Sequence, residues 1–223
     1  MRKYYEAYDD RYRQVHRENL HWFDENPSEI VLEMMEKFAV SPDAGILEIG
    51  CGEGRDARFL LSRGYDVLAT DISPEAVSYC RAHDLDHREH YARLDCVNGA
   101  LEGRFDFIYA VAVVHMLVLQ ADRDRFYQFI RSHLTETGIG LVCSMGDGVL
   151  ERSSDISNAF ETQERIHEQS GKMLQLAGTS YRAVSFDTFR EEIRRNGLKI
   201  LEMGLTDIQP DYWKMMYAVV KAE

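Results

Sequence analysis

Three glycines, Gly50, Gly52 and Gly54, follow a short apolar run in ILEIGCGEGR, and Asp71 closes a second such run 21 residues beyond Gly50. Glycines at this spacing allow a tight turn at positive φ and let a ligand lie against the backbone without meeting β-carbons. A helix beginning at Arg55 would turn its free amides toward a polar ligand. An acid at the end of the second strand is placed to accept both hydroxyl hydrogens of a ribose. This is the chemistry of holding a nucleoside. The spacing is GxGxG, however, and not the GxGxxG of the dinucleotide fingerprint.

Other side chains carry chemistry of their own. His115 follows the fourth expected strand directly, on the side where open α/β sheets bind ligands. It is the candidate catalytic residue, able to take a proton from a bound ligand, to line the pocket or merely to hydrogen-bond the loop. Tyr4, Tyr5, Tyr8, Tyr12 and Trp22 crowd the N-terminal segment, with Arg11, His16 and His21 among them. They suit either a helix packed on the sheet edge or a lid whose rings meet a small or cationic group. Arg11 could pair with a carboxylate. Arg182 could face the pocket, and His167 with Glu168 reads as a solvated helix face. Asp106, entering a strand, reads as an anchor for backbone donors. The eight histidines contain no HExxH or other metal spacing, and the four cysteines form no CxxC pair. No metal is expected.

The elements that must position these groups follow from periodicity. Tyr4 or Tyr5, Tyr8, Tyr12 and Val15 recur at helical steps, and Ile30, Met34 and Phe38 mark a second helix after Asn26-Pro27-Ser28. Strands are expected at 46–50, 66–70, 91–94, 105–111 and 139–145, and helices near 55–63, 74–84 and 122–134. That alternation is the rhythm of a doubly wound, mostly parallel sheet whose strands are covered on both faces. The polar stretch 147–180 breaks it and is expected to hold a helix within 158–176. Phe186, Phe189 and Ile193 then line a helix ended by Gly197. A strand starts at Lys199–Met203, and YWKMMYAVVKA forms the last strand, at or near the sheet edge.

With 223 residues the chain fits one α/β domain. We divide it into an N-terminal extension or lid at 1–40, a cofactor-binding core at 45–145, a substrate-side insertion at 146–184 and a C-terminal part at 185–223. Its 38 acids against 26 Lys and Arg give a formal charge of −12. Such a field disfavours non-specific attraction to nucleic acid or anionic membrane. The N-terminus is too polar for a signal peptide, and no apolar run approaches transmembrane length. A cytoplasmic protein with reduced thiols, monomeric or homodimeric, is the expectation.

The run EIGCGEGR followed by VLATDISPEAV resembles the class I S-adenosylmethionine-dependent methyltransferases, from about Leu32 to the C-terminus. GEGRDARFL with GYDVLATD and RFDFIYAVAVVHML is most similar to the small tellurite-resistance and thiopurine-type members, which act on small soft nucleophiles. The resemblance implies a seven-stranded Rossmann-like sheet with a reversed final strand, and S-adenosyl-L-methionine as cofactor. It implies that Gly50, Cys51, Gly52 and Gly54 wrap the methionine moiety and that Glu48 organises its ammonium group. By the same likeness Asp71 holds the ribose, Ile72 packs on adenine, and Asp95 receives the adenine amine while Cys96 offers its amide. Ala110 closes strand four beside the cofactor. The chain has AVAVVHML where the family often has an Asn-Pro-Pro-Tyr loop, which argues against a base amine as acceptor. The expected reaction is methyl transfer to a small-molecule thiol, amine or related nucleophile. The alternatives are a protein or RNA methyltransferase, a nicotinamide oxidoreductase of similar fold, and a non-catalytic nucleotide-binding protein.

Overall fold

The computed structural model describes residues 2–22, 26–167, 169–206 and 215–223. Its main sheet has seven strands: β1 (Gly45–Ile49), β2 (Asp66–Asp71), β3 (Tyr91–Arg93), β4 (Phe105–Val111), β5 (Leu134–Met145), β10 (Leu198–Thr206) and β11 (Met215–Ala222). Their spatial order is β10-β11-β5-β4-β1-β2-β3. The strands from β3 to β5 run parallel, and β11 is antiparallel to both β5 and β10. The reversed final strand is therefore present, one place in from the edge, which β10 occupies. Tyr212, Trp213 and Lys214, expected to begin that strand, lie outside the described residues.

Helices α2 (Glu29–Lys37), α3 (Arg55–Ser62) and α4 (Pro74–His83) contribute Met34, Leu60 and Cys80 to the core on one face. Helices α5 (Gln120–His133) and α6 (Phe186–Arg195) contribute Phe126, Ile130, Phe189 and Ile193 to the core on the other. Covering both faces explains why β1 and β4 are nearly continuous apolar runs. At about 25 cal/mol per Å² of apolar area, this two-sided burial is the main source of stability. Helix α5 starts two residues earlier than 122. It passes straight into β5, which begins at Leu134 instead of 139. The polar Thr135 and Glu136 hid that strand's first half from a reading based on apolar runs.

The segment 147–180 corrects the sequence expectation. Among its described residues there is no α-helix; β7 (Thr162–Ile166) and β8 (Met173–Ala177) pair as an antiparallel hairpin. Leu174 and Leu176 are buried while Met173 and Gln175 are exposed, which is the period of a strand. Those two leucines pack with Val15 of helix α1 (Ala7–Arg17). Gly171, at φ +68°, supplies a left-handed residue in the connecting turn. A second small pairing joins β6 (Arg152–Ser153) to β9 (Arg182–Ala183). The hairpin and α1 thus form one wall beside the C-terminal ends of the parallel strands. No described helix is long and apolar enough to cross a membrane.

Candidate active site

The glycine turn is fixed by its neighbours before any ligand is considered. Gly50, Gly52 and Gly54 have φ of +76°, +55° and +79°, which L-residues rarely adopt. The amides of Gly50 and Cys51 both donate to the Thr70 carbonyl, at 2.7 and 2.9 Å, tying the turn to the end of β2. A β-carbon on Gly50 would meet Val113 Cγ2 at 2.4 Å, and one on Gly54 would meet Cys80 Sγ at 2.9 Å. Two of the three glycines therefore serve close packing as well as the turn.

A cavity of about 1130 Å³ opens at the C-terminal ends of β1, β2, β4 and β5. Of the expected site residues, Gly50, Asp71, Ile72, Asp95, Cys96 and His115 line it. Glu48, Cys51, Gly52, Gly54 and Ala110 are not part of its wall. Glu48 is buried, with Oε2 lacking any hydrogen-bond partner. Burial and the nearby Asp56 charge push its carboxyl well above the usual range.

Asp71 is buried, and each carboxylate oxygen accepts one amide: Oδ2 from Gly52 at 2.9 Å and Oδ1 from Ser73 at 2.8 Å. Burial raises its pKa, with the Ser73 and Gly52 amides opposing. Each oxygen keeps lone-pair capacity for a further donor. Ser73 caps α4 through the Ala76 amide, so Asp71 is not needed as that cap. Asp95 accepts from the Val97 amide at 2.9 Å and the Asn98 amide at 3.2 Å, and from Tyr5 Oη at 3.4 Å. Burial pushes the Cys96 thiol up, so it is no thiolate. Leu94, Val97 and Val113 add apolar surface nearby.

His115 sits in a single turn, Val114–Met116, reached from β4 through Ala112 in a left-handed conformation (φ +59°). It is buried, and its pKa is pushed down to about 3 by burial and by the charge of Arg123. The imidazole is neutral at any physiological pH. The turn is held by Arg123, wholly buried, whose Nη1 donates to the Val114 carbonyl at 2.7 Å and the Leu117 carbonyl at 3.2 Å. The same guanidinium forms a two-pronged pair with Glu192 of α6, at 2.8 and 2.6 Å.

The remaining walls come from outside the glycine core. Tyr5, Tyr8, Arg11, Tyr12 and Trp22 line the cavity from the N-terminal segment; Gln163, Arg165, His167 and Tyr181 line it from the hairpin region. Residues of the aromatic helix are thus part of the cavity wall. Arg11 donates to the Ala177 carbonyl at 3.1 and 3.3 Å and lies beside the Tyr8 and Trp22 rings. His167 is buried, not on a solvated helix face, and its Nε2 lies 2.8 Å from the His21 carbonyl oxygen. Glu168 lies outside the described residues. Arg182 turns to the Val118 carbonyl, Gln120 and Glu192 and is not in the cavity wall. Asp106 accepts the Gly45 amide at 3.1 Å, the anchoring role expected of it. Sequence reasoning missed Tyr181, Gln163 and the His16–Glu53–Glu75 cluster, because their proximity arises only from folding.

The residues around this cavity fit an adenosyl cofactor in kind: a buried acid with open lone pairs, an apolar slot and Gly50 of the turn, which presents no side chain. Residues 47–139 match the family described as a methyltransferase domain. That match covers less than half of the chain. Its fold is similar to the CcbJ methyltransferase from Streptomyces caelestis, with a TM-score of 0.73, 14% identity and 99% of each chain covered. It is also similar to the glycopeptide N-methyltransferase MtfA in complex with S-adenosylhomocysteine (TM-score 0.65, 20% identity, 91% of each chain). A third is the TehB-like methyltransferase from Corynebacterium glutamicum, with a TM-score of 0.59 and 19% identity over 98% of this chain and 97% of that one. Over 106 residues, 45% of this chain, the sequence is 37% identical to a protein named hemagglutinin 1 from Eikenella corrodens. The match spans 34% of that protein's length.

Proposed function

We propose that this protein is a methyltransferase that moves the methyl group of S-adenosylmethionine to a small-molecule nucleophile, a thiol, amine or related acceptor. One observation carries the reading: a single cavity joins Gly50, Asp71 and Asp95 to an aromatic roof built from the chain's own N-terminal helix and hairpin. A cavity of about 1130 Å³ exceeds the range of roughly 300–1,000 Å³ for one small ligand, so cofactor and acceptor fit together. The charge of −12 works against nucleic acid.

In this reading Asp71 accepts the ribose hydroxyls, Ile72 flanks the adenine, Asp95 and the Cys96 amide address its edge, and the turn at 50–54 carries the methionine end. Glu48 and Ala110 support that turn from behind. The cofactor, when bound, supplies a carbon already activated by its sulfonium. The protein's task is to align the acceptor and exclude water. His115 faces the acceptor as a neutral imidazole. With a pKa pushed down to about 3, it is far too weak a base to take a proton from an amine or hydroxyl at neutral pH. It therefore orients the acceptor by hydrogen bonding, which favours nucleophiles that ionise by themselves, such as thiols. Free thiols at all four cysteines are consistent with a reducing cytoplasm.

The reading is tested by incubating the protein with S-adenosylmethionine and a panel of small thiols, amines and carboxylates, following S-adenosylhomocysteine and the mass of each acceptor. Acceptor-dependent product with a gain of one methyl group supports it. Turnover only on protein or RNA would replace it with the macromolecular alternative.

A further inference from the structure

His16 stands one turn beyond Tyr12 on α1, between two carboxylates from different parts of the chain. Its Nε2 is 2.9 Å from Glu53 Oε1, in the glycine turn, and its Nδ1 is 2.9 Å from Glu75 Oε1, in the first turn of α4. The His16 side chain is 11% exposed and that of Glu53 only 3%. A neutral imidazole has one N–H donor, so it can bond only one of two ionised carboxylates. Satisfying both at this distance needs the imidazolium, which has two. Glu53 is further engaged by the Trp22 amide, donating to Oε2 at 2.7 Å. At the other end of α1, Asp9 accepts from Ser73 Oγ at 2.7 Å and from the Glu75 amide at 3.2 Å.

We infer that His16 is a positioning residue: doubly bonded to Glu53 and Glu75, it latches the aromatic roof onto the glycine turn, and loss of its second proton donor releases the roof. The groups facing it are few. Tyr12 comes from its own helix, with ring centroids 6.0 Å apart; Glu53 comes from the turn; Glu75 and the stacked Tyr79 ring, at 4.4 Å, come from α4. Tyr79 in turn stacks on His83. Burial lowers the His16 pKa, but the Glu53 and Glu75 bonds outweigh it and the net shift is upward. The sign follows. The latch is complete below the ordinary imidazole pKa of about 6.5 and is lost as pH rises through the higher value in the closed state. The roof is closed at acid to neutral pH and opens on the alkaline side.

The inference rests on the methyltransferase reading only for what lies under the roof, and its test does not need a ligand. Amide hydrogen exchange of the unliganded protein, corrected for intrinsic rates, is measured along α1 from pH 6 to 9. In the window above about 6.5, protection of α1 falls by up to about tenfold per pH unit, while protection of β1 and β4 does not. His16→Gln gives low, pH-independent protection of α1, and Glu75→Gln moves the wild-type midpoint down. The His16 ring proton, titrated by NMR, reports the same midpoint. A flat wild-type profile, or the same midpoint in His16→Gln, overturns the latch. Failure of S-adenosylhomocysteine to bind at any pH, with the midpoint intact, would sink the methyltransferase reading and leave the latch standing.

Discussion

Replacing Arg123 tests how the acceptor side of the site is held. The guanidinium and the Glu192 carboxylate are both wholly buried, joined at 2.8 and 2.6 Å, and Arg123 also serves the Val114 and Leu117 carbonyls. Arg123→Met keeps much of the volume but leaves Glu192 buried with its strongest partner gone. Removing one member of such a pair costs about 3–5 kcal/mol, because the remaining Glu192 charge keeps only the longer Arg182 contact at 3.7 Å. For a chain of this size each kcal/mol shifts Tm by about 2–4 °C, so the loss corresponds to roughly 6–20 °C. Glu192→Met alone should cost a similar amount, whereas the double Arg123→Met/Glu192→Met variant should recover part of it, the share due to the pair and not to the two carbonyls. Urea unfolding at matched m values measures all three and closes a double-mutant cycle. A cost below about 1 kcal/mol for either single variant would refute the argument, as would simple additivity. The double variant should still bind acceptor poorly, since the Val114 and Leu117 carbonyls that fix the His115 turn remain without their donor.

Gly50→Ala should abolish detectable adenosyl binding, because its β-carbon meets Val113 at 2.4 Å and its φ is +76°; isothermal titration checks this. Adding Val113→Ala should relieve the clash and restore binding only in part, since the backbone strain of about 1–3 kcal/mol persists. His115 is neutral in the fold down to about pH 3 and protonates near 6.5 when unfolded. Stability should therefore fall as pH drops from about 6.5 toward 3, by on the order of 1 kcal/mol per unit from this group; His115→Phe should flatten that part of the denaturation profile. Leu176→Ala, at a wholly buried contact with Val15, should cost about 2–5 kcal/mol. Hydrogen exchange should show the loosening in α1 and the hairpin before the main sheet.

The glycine turn, Asp71 and the alternation of strands and helices from 45 to 145 were legible because each is written in adjacent residues. Apolar runs, a GxGxG turn and an acid at a strand end need no distant partner to be seen. Helix α6, with Phe186, Phe189 and Ile193 on one face and Gly197 at its end, was legible for the same reason. The hairpin at 162–177 was not. Its strands are short and polar, and Leu174 and Leu176 acquire a buried face only because Val15, far away in sequence, packs on them. The character of His115 was also hidden: its position was readable, but its loss of basicity comes from burial and from Arg123. The His16 bridge depends on three segments meeting, and nothing in the local sequence announces it. What could be read was the glycine-turn side of the cavity. What could not was the wall built by α1 and the hairpin, which long-range contacts assemble.

The most direct test of the account is calorimetric titration with S-adenosylmethionine, S-adenosylhomocysteine and NAD, repeated on Asp71→Ala after its fold is checked by circular dichroism. The account predicts micromolar binding of both adenosyl ligands, none of NAD, and loss of the adenosyl binding in the variant. No binding of either adenosyl ligand by folded wild-type protein, or equal binding by folded Asp71→Ala, would contradict it.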